Sequence, residues 1–302
     1  MKFKKTLVTG AHGLVGSTIS SDFCPTSGEL DLMKFDDIVE YLNFNKIDSI
    51  IHCAAKVGGI GANVNKAGEF FYGNIMMNTN LLEAARMCGV KKVVSFLSTC
   101  VFPAEANYPL TSDQIHNGEP HHTNYPYAYA KRMLDVMGRA YQKQYGTNFI
   151  TVIPCNAYGP NDNFHLEDSH VIPAIIHKCY LAKKNNTDLN LWGDGRPYRE
   201  FIYSKDLGYL IKWALENYED TTPLILSSDE EVNIDTIARE ICKHVGFTGN
   251  INYDQRMSGQ YKKTSDNTIL KSILPDFQFT PIETGLKETV EWFLNNYETC
   301  RK

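Results

Sequence analysis

Four side chains with acid–base or nucleophilic chemistry stand out in the sequence. Tyr127 and Lys131 are four residues apart in a helical pattern, so both project from one face of the helix. A lysine beside a phenol favours the phenolate and makes the tyrosine a usable acid or base. Ser98 and Cys100 follow a buried strand pattern, "VVSFL", and a strand that only fills a core has no use for them at its end. We therefore expect an acid–base site in which Ser98 holds a substrate oxygen toward Tyr127.

A glycine-rich segment near the N-terminus predicts a dinucleotide site. The segment "TLVTGAHGLVG" places Gly10, Gly13 and Gly16 between a predicted strand and a predicted helix. The first glycine permits a tight turn, the second allows close approach to a pyrophosphate, and the third packs helix against strand. The helix N-terminus then offers amides and a positive dipole to the anion. We expect cofactor contacts from these glycines and from the residues between them, Ala11, His12, Leu14 and Val15.

Apolar strand patterns and helical patterns alternate through the first half of the chain. The strand patterns are "KTLVTG", "IDSIIHCAA", "KKVVSFLST" and "NFITVIP", and the helical ones are "LVGSTISSDF", "FFYGNIMMNTNLLEAARMCG" and "YAYAKRMLDVMGRAYQKQYG". This alternation predicts an α/β fold with a doubly wound parallel (Rossmann) sheet. Ligands of such sheets bind outside the carboxyl ends of the strands. The ends that carry the glycine loop and Ser98 are therefore expected to share one crevice.

The second half of the chain has a looser pattern. We expect residues 1–155, with about 199–228, to form the dinucleotide-binding Rossmann domain. Residues 156–198 and 229–302 are expected to form a smaller, discontinuous C-terminal α/β substrate domain. Two helices are predicted in its last part, near 233–245 and 283–298.

Composition excludes several classes of protein. The chain has 302 residues, 43% of them hydrophobic, and a net charge of −5, whereas nucleic-acid binding usually needs a basic stripe. No apolar run approaches the roughly 20 residues of a membrane helix, and the start of the chain does not read as a signal peptide. The eight cysteines show no metal-ligand spacing or disulfide framework. We expect no metal site, no nucleic-acid or membrane partner, and a cytoplasmic location.

The glycine loop, Ser98 and the Tyr127-x-x-x-Lys131 pair together resemble the extended short-chain dehydrogenase/reductase superfamily, over the whole chain. The resemblance implies hydride transfer to or from a nucleotide-sugar carbonyl, with Tyr127 as the acid and Lys131 on the nicotinamide ribose. Besides the glycine loop, it implies cofactor contacts from Ala54, Phe96, Leu97, Ser98, Thr99, Tyr127, Lys131, Pro154, Cys155, Asn156, Ala157 and His170.

Five further segments narrow the resemblance. Nucleotide-sugar 4,6-dehydratases have an Asp-Glu pair where this chain has Cys100 and Val101, so a dehydratase is not expected. The segments "AAKVGGI", "STCVFP", "IPCNAYGPNDNF", "DNFHLEDSHVIPA" and "WGDGRPYREF" closely resemble the GDP-L-fucose synthase family. That family makes GDP-L-fucose from GDP-4-keto-6-deoxy-D-mannose by C3/C5 epimerisation and reduction of the C4 ketone. The resemblance implies that Cys100 and His170 are the acid–base pair for epimerisation, while Ser98 and Tyr127 hold the enolate oxygen.

The resemblance also implies substrate contacts and a homodimer. Matching positions for a GDP-sugar are Lys178, Trp192, Arg199 and Asp266. Arg199 can pair with a diphosphate through two hydrogen bonds, whereas Lys178 stands where some relatives have arginine and lacks that fork. The family pairs two subunits through the helix that carries Tyr127 and the helix at 70–88.

The cofactor is predicted from the adenosine end of the site. An acidic residue at the tip of the second strand indicates NAD, and basic residues indicate NADP. Only fourteen residues lie between Gly16 and Asp31, so the first helix and second strand are expected to be short. The segment offers Thr26 and Ser27, and the loop offers His12, with no acidic residue directly at the tip. Together with the family precedent, this favours NADP, with NADPH as the hydride donor.

Three alternatives remain at this point. The first is another nucleotide-sugar epimerase/reductase of the same superfamily. The second is a 4-epimerase, which would exchange no protons at the carbons beside the ketone. The third is a non-catalytic dinucleotide-binding regulator, a class that typically loses the tyrosine or lysine that this chain keeps.

Overall fold

Five parallel strands form the central sheet of the computed structural model, which describes residues 2–228, 230–254 and 263–302. The order across the sheet is β1-β2-β3-β4-β8. These strands are β1 (Thr6–Thr9), β2 (Ser49–His52), β3 (Lys92–Phe96), β4 (Asn148–Pro154) and β8 (Leu224–Leu226). Parallel pairing throughout confirms the expected α/β class.

Helices cover both faces of this sheet. The covering helices are α1 (Phe35–Asn45), α3 (Ala67–Met87), α4 (Tyr125–Tyr145) and α6 (Ser204–Asn217). The other helices of the described residues are α2 (Ile60–Asn65), α5 (Val171–Asn185), α7 (Ile234–Val245), α8 (Thr268–Ile273) and α9 (Ile282–Asn295). Leu7 and Ile50 pack in the core with α1, α3 and α4, whereas the adjacent Val8 and Ile51 pack with α6. Because both faces are buried, the strands are continuous apolar runs rather than alternating ones.

Two smaller sheets lie in the second half of the chain. One has the order β5-β7-β9, with β5 (Asn156–Tyr158), β7 (Tyr198–Tyr203) and β9 (Glu231–Asn233), and the other pairs β6 (Leu189–Trp192) with β10 (Ile251–Asp254). A separate apolar core joins them to α5, α7 and α9. The domain boundaries given above remain a prediction. In the range 199–228, α6 and β8 belong to the large sheet and its cover, while β7 belongs to the small sheet.

The first crossover differs from the helix predicted at "LVGSTISSDF". Only a single 3₁₀ turn, Gly16–Thr18, forms there, and Ile19 is already extended. Thr18 Oγ1 donates to Val15 O at 2.6 Å, and such local bonds of Ser and Thr compete with helix formation. The chain then meets the sheet at one bridge, between Phe23 and Leu7. The second strand is thus reduced to that bridge, consistent with the expected shortening.

Candidate active site

The predicted site residues lie almost all on one cleft of about 1540 Å³ at the carboxyl ends of the central strands. Those that line it are Gly10, His12, Gly13, Leu14, Val15, Gly16, Ala54, Phe96, Leu97, Ser98, Thr99, Cys100, Tyr127, Lys131, Pro154, Cys155, Asn156, Ala157, His170, Lys178, Trp192 and Arg199. The fold therefore unites the predicted dinucleotide, acid–base and substrate residues in one place.

Two predicted contacts lie elsewhere. Ala11 is buried beneath the glycine loop rather than on the cleft, because a close packing of Ala11 against Gly16 closes the turn. The Asp266 carboxylate accepts a hydrogen bond from Thr268 N at 2.8 Å at the start of α8. The backbone N–H of Asp266 donates to Leu110 O at 2.8 Å. Asp266 is thus engaged in the local fold and does not line the cleft.

The glycine loop has the backbone that a dinucleotide needs. Gly10 has a φ of +67°, and a Cβ there would lie 2.7 Å from Ala54 N. A Cβ on Gly16 would lie 2.3 Å from Gly10 O, so a side chain cannot fit between the turn and its partner. Gly13 would meet only Gly10 O, at 3.4 Å, so its face is open toward the cleft. The loop therefore fits a pyrophosphate close to the main chain.

The adenosine end of the cleft is lined by the shortened crossover. Thr26 and Ser27 lie there together with His12. Thr26 donates to Glu29 Oε2 twice, from its backbone N at 2.8 Å and from Oγ1 at 2.9 Å. These bonds lower the pKa of the exposed Glu29 carboxyl below its usual range. The sequence did not indicate this contact, because the Glu29 side chain folds back to Thr26, three positions earlier in the chain.

The end of β3 presents Ser98 and Cys100 to the cleft. A 3₁₀ turn, Thr99–Val101, follows the strand, and Ser98 Oγ accepts from Cys100 N at 3.3 Å. The Cys100 thiol is half-buried and packs against a small apolar cluster that includes Phe70 and Tyr127. Ser98, Cys100 and Tyr127 are thus neighbours in space.

Tyr127 and Lys131 lie on the first half of α4, as their spacing predicts. Tyr127 is 8% exposed and Lys131 is 2% exposed. Lys131 Nζ donates to Phe96 O at 2.9 Å and lies 6.0 Å from the centre of the Tyr127 ring. Burial, with a smaller contribution from Cys100, raises the pKa of Tyr127, and burial lowers the pKa of Lys131 to about 8. The expected phenolate is therefore not favoured here; Tyr127 is held as a protonated donor because burial dominates.

Buried hydrogen bonds fix α4 to the sheet. His52 Nδ1 shares a proton with Thr9 Oγ1 at 2.8 Å, and His52 Nε2 with Asn78 Oδ1 at 3.0 Å. Asn78 Nδ2 donates to Ala130 O, in the helical turn between Tyr127 and Lys131, at 3.1 Å. Burial lowers the pKa of His52 to about 3, so the ring is neutral. This network positions α4 without an internal charge.

A second contact joins α4 to the Cys100 turn. The buried Arg132, one residue after Lys131, donates from Nε to Val101 O at 2.7 Å. Since Val101 follows Cys100 directly, this bond couples the position of the helix to that of the thiol.

His170 reaches the cleft from another element, helix α5. It occupies the N-cap position of α5 and is exposed toward the cleft. The surrounding protein lowers the pKa of His170, so the imidazole is neutral at pH 7 and can accept a proton. His170 and Cys100 thus face one ligand space from different elements.

Two adjacent glycines position the segment before His170. Gly59 N donates to Asp168 O at 2.9 Å, and a Cβ on Gly59 would lie 2.7 Å from Ser169 O. A Cβ on Gly58 would lie 3.2 Å from Asp168 O. The motif "AAKVGGI" thus serves close packing against 168–169, a role that the sequence alone did not assign.

Cationic side chains and one indole form the far wall of the cleft. Lys178 Nζ lies 4.3 Å from the centre of the Trp192 ring, which is 50% exposed. Burial lowers the pKa of Lys178 and the pKa of Arg199. Lys263 also lines the cleft, where burial lowers its pKa, Cys100 opposes that shift and Arg199 adds to it. Sequence reasoning missed Lys263, because "YKKTS" carries no periodic or spacing signal.

Two further features of the described residues concern metals and membranes. No group of three or more His, Cys, Asp or Glu side chains among them is arranged to hold a metal ion. Every helix in the same part of the chain falls short of the length and apolarity that a bilayer crossing requires.

Comparison with known proteins places the chain in a family. The model of the NAD dependent epimerase/dehydratase family matches residues 6–234. GDP-L-fucose synthase of Dictyostelium discoideum is 47% identical, over 99% of this chain and 98% of that protein. GDP-L-colitose synthase of Yersinia pseudotuberculosis is 35% identical, over 96% of this chain and 98% of that protein.

A solved structure gives the same placement. The crystal structure of a GDP-L-fucose synthetase from Naegleria fowleri bound to NADP superposes with a TM-score of 0.93 and is 39% identical, over 100% of this chain and 98% of that one. The chain therefore belongs to the NAD dependent epimerase/dehydratase family and, within it, to the group that contains the GDP-L-fucose synthases.

Proposed function

We propose that this protein makes GDP-L-fucose from GDP-4-keto-6-deoxy-D-mannose, by epimerisation at C3 and C5 followed by NADPH-dependent reduction at C4. One observation carries the proposal: Cys100 and His170, from different elements, line the same cleft as Tyr127 and the glycine loop. An acid–base pair, a proton donor and a dinucleotide loop are the parts that this two-stage reaction needs. The family relationship supports the same reaction.

Epimerisation uses the ketone to acidify the neighbouring C–H bonds. Removal of a proton from one face and return from the other requires two acid–base groups, and Cys100 and His170 are the proposed pair. The oxygen that becomes negative must meet hydrogen-bond donors. Ser98 and the protonated Tyr127 are the donors at the strand end. Lys263 lies close enough to Cys100 for the two groups to interact electrostatically.

Reduction then needs a proton at the C4 oxygen. NADPH, when bound, supplies the hydride. Tyr127 supplies the proton, since its raised pKa keeps it loaded at neutral pH. Lys131, fixed on Phe96 O, holds a positive charge beneath the ribose side of the pocket.

The far wall suits a GDP-sugar. Lys178, Arg199 and Lys263 offer three cations to a diphosphate, and Arg199 has the fork geometry for paired bonds. The exposed Trp192 ring offers an apolar face. The relative named for GDP-L-colitose favours a second candidate at the same site, the processing of another GDP-linked keto sugar.

NADP is the proposed cofactor. The Naegleria fowleri relative has been solved with NADP. In this chain Thr26, Ser27 and His12 line the proposed adenosine end, and the carboxylate of Asp31, which also lines the cleft, accepts from Met33 N at 3.0 Å.

A homodimer in the cytoplasm completes the proposal. The α3 helix exposes Phe71 and Tyr72, and α4 exposes Val136, so the two helices offer apolar surface to a second copy. All eight cysteines are free thiols, as expected in a reducing compartment.

The test separates epimerisation from reduction. Cys100→Ser should lower deuterium incorporation at C3 and C5 by roughly 10²- to 10⁴-fold, because a hydroxyl is a far weaker acid than a thiol. The measurement is NMR of GDP-4-keto-6-deoxy-D-mannose incubated with enzyme in deuterated water. His170→Gln should also prevent full inversion, since an amide cannot return a proton.

Cys88→Ser is the matched control, because Cys88 makes the same thiol-to-hydroxyl change at the end of α3, away from the cleft. It should exchange ring protons at the wild-type rate. Wild-type exchange in Cys100→Ser would make Cys100 a packing residue and overturn the assignment. Turnover only with another GDP-linked keto sugar would select the second candidate.

A further inference from the structure

The C-terminal tail reaches the dinucleotide side of the cleft. Helix α9 ends at Asn295, and the chain continues to Arg301, which lines the cleft. Phe164 N donates to Arg301 O at 2.8 Å, which fixes the main chain of the tail. Phe164 is itself fully buried and packs on Phe293 of α9. The tail is therefore anchored at the point where it carries its arginine.

A single residue joins Arg301 to the glycine loop. Arg301 Nη2 donates to Asn161 O at 3.2 Å, and Asn161 Nδ2 donates to Ser17 Oγ at 3.3 Å. Ser17 N in turn donates to Gly13 O at 3.0 Å. Asn161 has a φ of +63°, a left-handed conformation that asparagine tolerates better than most residues. The guanidinium is thus connected, through Asn161 and Ser17, to the glycine loop that is expected to hold a pyrophosphate.

Asp162 and Arg301 both keep hydrogen-bonding groups that have no partner among the described residues. Asp162 is 4% exposed and lines the cleft; its Oδ1 accepts from Asn163 N at 2.7 Å, whereas Oδ2 has no hydrogen-bond partner. Arg301 lies near enough to influence Asp162, but no described carboxylate comes within 4.0 Å of its guanidinium. A guanidinium has five N–H donors, and among the described residues one carbonyl accepts from it. The remaining donors can serve an anion in the cleft.

We propose that Arg301 binds the diphosphate of the dinucleotide beside the glycine loop, and that Asn161 positions it. The inference deepens the proposed function and rests on it for the identity of the dinucleotide as NADPH. A nucleotide sugar also carries a diphosphate. However, hydrogen bonds connect Arg301 through Asn161 and Ser17 to Gly13, and this connection favours the diphosphate of the cofactor. The far-wall cations Lys178, Arg199 and Lys263 already face the sugar side.

The experiment measures binding in the absence of any sugar reaction. Arg301→Ala should raise the Kd for NADPH by roughly tenfold to a hundredfold, the usual size of a lost charge-assisted pair. The readout is the fluorescence of bound NADPH, titrated at several salt concentrations, and the variant should show a weaker salt dependence. Arg301→Lys should restore part of the affinity, because it keeps the charge but not the fork.

Lys302→Ala is the control. Lys302 is the next residue and carries the same charge, but its Nζ lies 3.5 Å from the centre of the Tyr297 ring, and Lys302 does not line the cleft. It should bind NADPH like the wild type. Adenosine 2′,5′-bisphosphate, which lacks a diphosphate, should bind all variants alike.

Three results would overturn the inference: an unchanged Kd for NADPH in Arg301→Ala, an equal loss in Lys302→Ala, or a loss of affinity for GDP instead of NADPH. Failure of the proposed function has a different signature. The wild type would then bind NADPH but leave the keto sugar unchanged, or would not bind NADPH at all.

Discussion

The two walls of the cleft are built differently. On the sheet wall, Tyr127 and Lys131 are almost fully buried and are held through main-chain carbonyls of β3 and α4. On the far wall, Trp192 is half exposed and its neighbour Lys178 rests on the ring by a cation–π contact. The sheet wall is therefore rigid before any ligand arrives, while the far wall keeps exposed surface for one. Rigid placement suits bond-making groups, and partly buried cations beside an exposed ring suit recognition of a charged nucleotide.

The largest effect should come from the sheet wall. Tyr127→Phe removes the proton donor without changing the ring that packs against Phe70. We expect the rate of NADPH oxidation with the keto sugar to fall by roughly 10²- to 10⁴-fold. Deuterium exchange at C3 and C5 should fall less, because Ser98 still holds the enolate oxygen. Stopped-flow absorbance and NMR measure the two stages. Equal losses in both stages would mean that Tyr127 is no more important for reduction than for epimerisation.

An intermediate effect should follow when one added methyl group displaces the segment before His170. Gly59→Ala places a Cβ about 2.7 Å from Ser169 O and must displace the segment before His170. We expect a loss of roughly tenfold to a hundredfold in C3/C5 exchange, since small misplacements of catalytic groups carry costs of this size. The Kd for NADPH should change little.

Gly61→Ala is the matched control, because a Cβ there meets only Glu167 O, at 4.0 Å. Gly61 lies in α2, where alanine is the better helix former. Wild-type exchange in Gly59→Ala, or an equal loss in Gly61→Ala, would contradict the positioning of His170 by this glycine.

A smaller effect is expected from pH. Burial lowers the pKa of Lys131 to about 8 in the free protein, and kcat/KM reports groups of the free enzyme. Above pH 8 the ammonium is lost, and kcat/KM should fall toward about tenfold per pH unit. Lys131→Arg stays charged and should lose this fall, whatever its absolute rate. A wild-type profile that is flat from pH 7 to pH 9.5 would contradict the assignment.

Unfolding cannot imitate this pH effect. The unfolded chain has an ordinary lysine pKa of about 10.4, above the folded one, so the unfolded state binds more protons between these values. The contribution of Lys131 to the free energy of unfolding therefore increases as pH rises from about 8 to about 10.4. Thermal unfolding at each pH separates the two effects.

No effect is expected from chelation. Both walls supply protons and positive charge from side chains, so exhaustive treatment with EDTA should leave kcat and KM unchanged. A loss of activity that one divalent ion restores would show that a metal takes part in one of the walls.

The difference between the walls also explains what the sequence could predict. Tyr127 and Lys131 are four residues apart on one helix, and Gly10, Gly13 and Gly16 lie in one loop, so local spacing is enough. The residues around the far wall and His170 come from distant segments of the chain. The resemblance identified His170 and Arg199, which spacing alone could not predict. It did not locate Lys263 or Arg301, which lie in segments without periodicity. Asp266 was assigned to the substrate, but its carboxylate starts α8 instead.

The fold shows the same division. The strands β1 to β4 and the helices α3 and α4 were predicted close to their observed positions, because burial on both faces of the sheet leaves a strong pattern, whereas α1 was not predicted. The first crossover was not, because Ser17 and Thr18 form local hydrogen bonds in place of a helix. Such competition between side chain and backbone is not visible in an apolar pattern.

That short crossover has a consequence for engineering. It meets the sheet at one bridge, Leu7 with Phe23, and lines the adenosine end, far along the cleft from the reacting groups. Each doubling of loop length costs only about 0.6 kcal/mol in closure entropy, so the exposed stretch from Thr26 to Glu29 can be lengthened, while Leu30 and Leu32 stay in the apolar core. Libraries that vary the length and charge of this stretch can change the preference between NAD and NADP without changing the residues around Cys100.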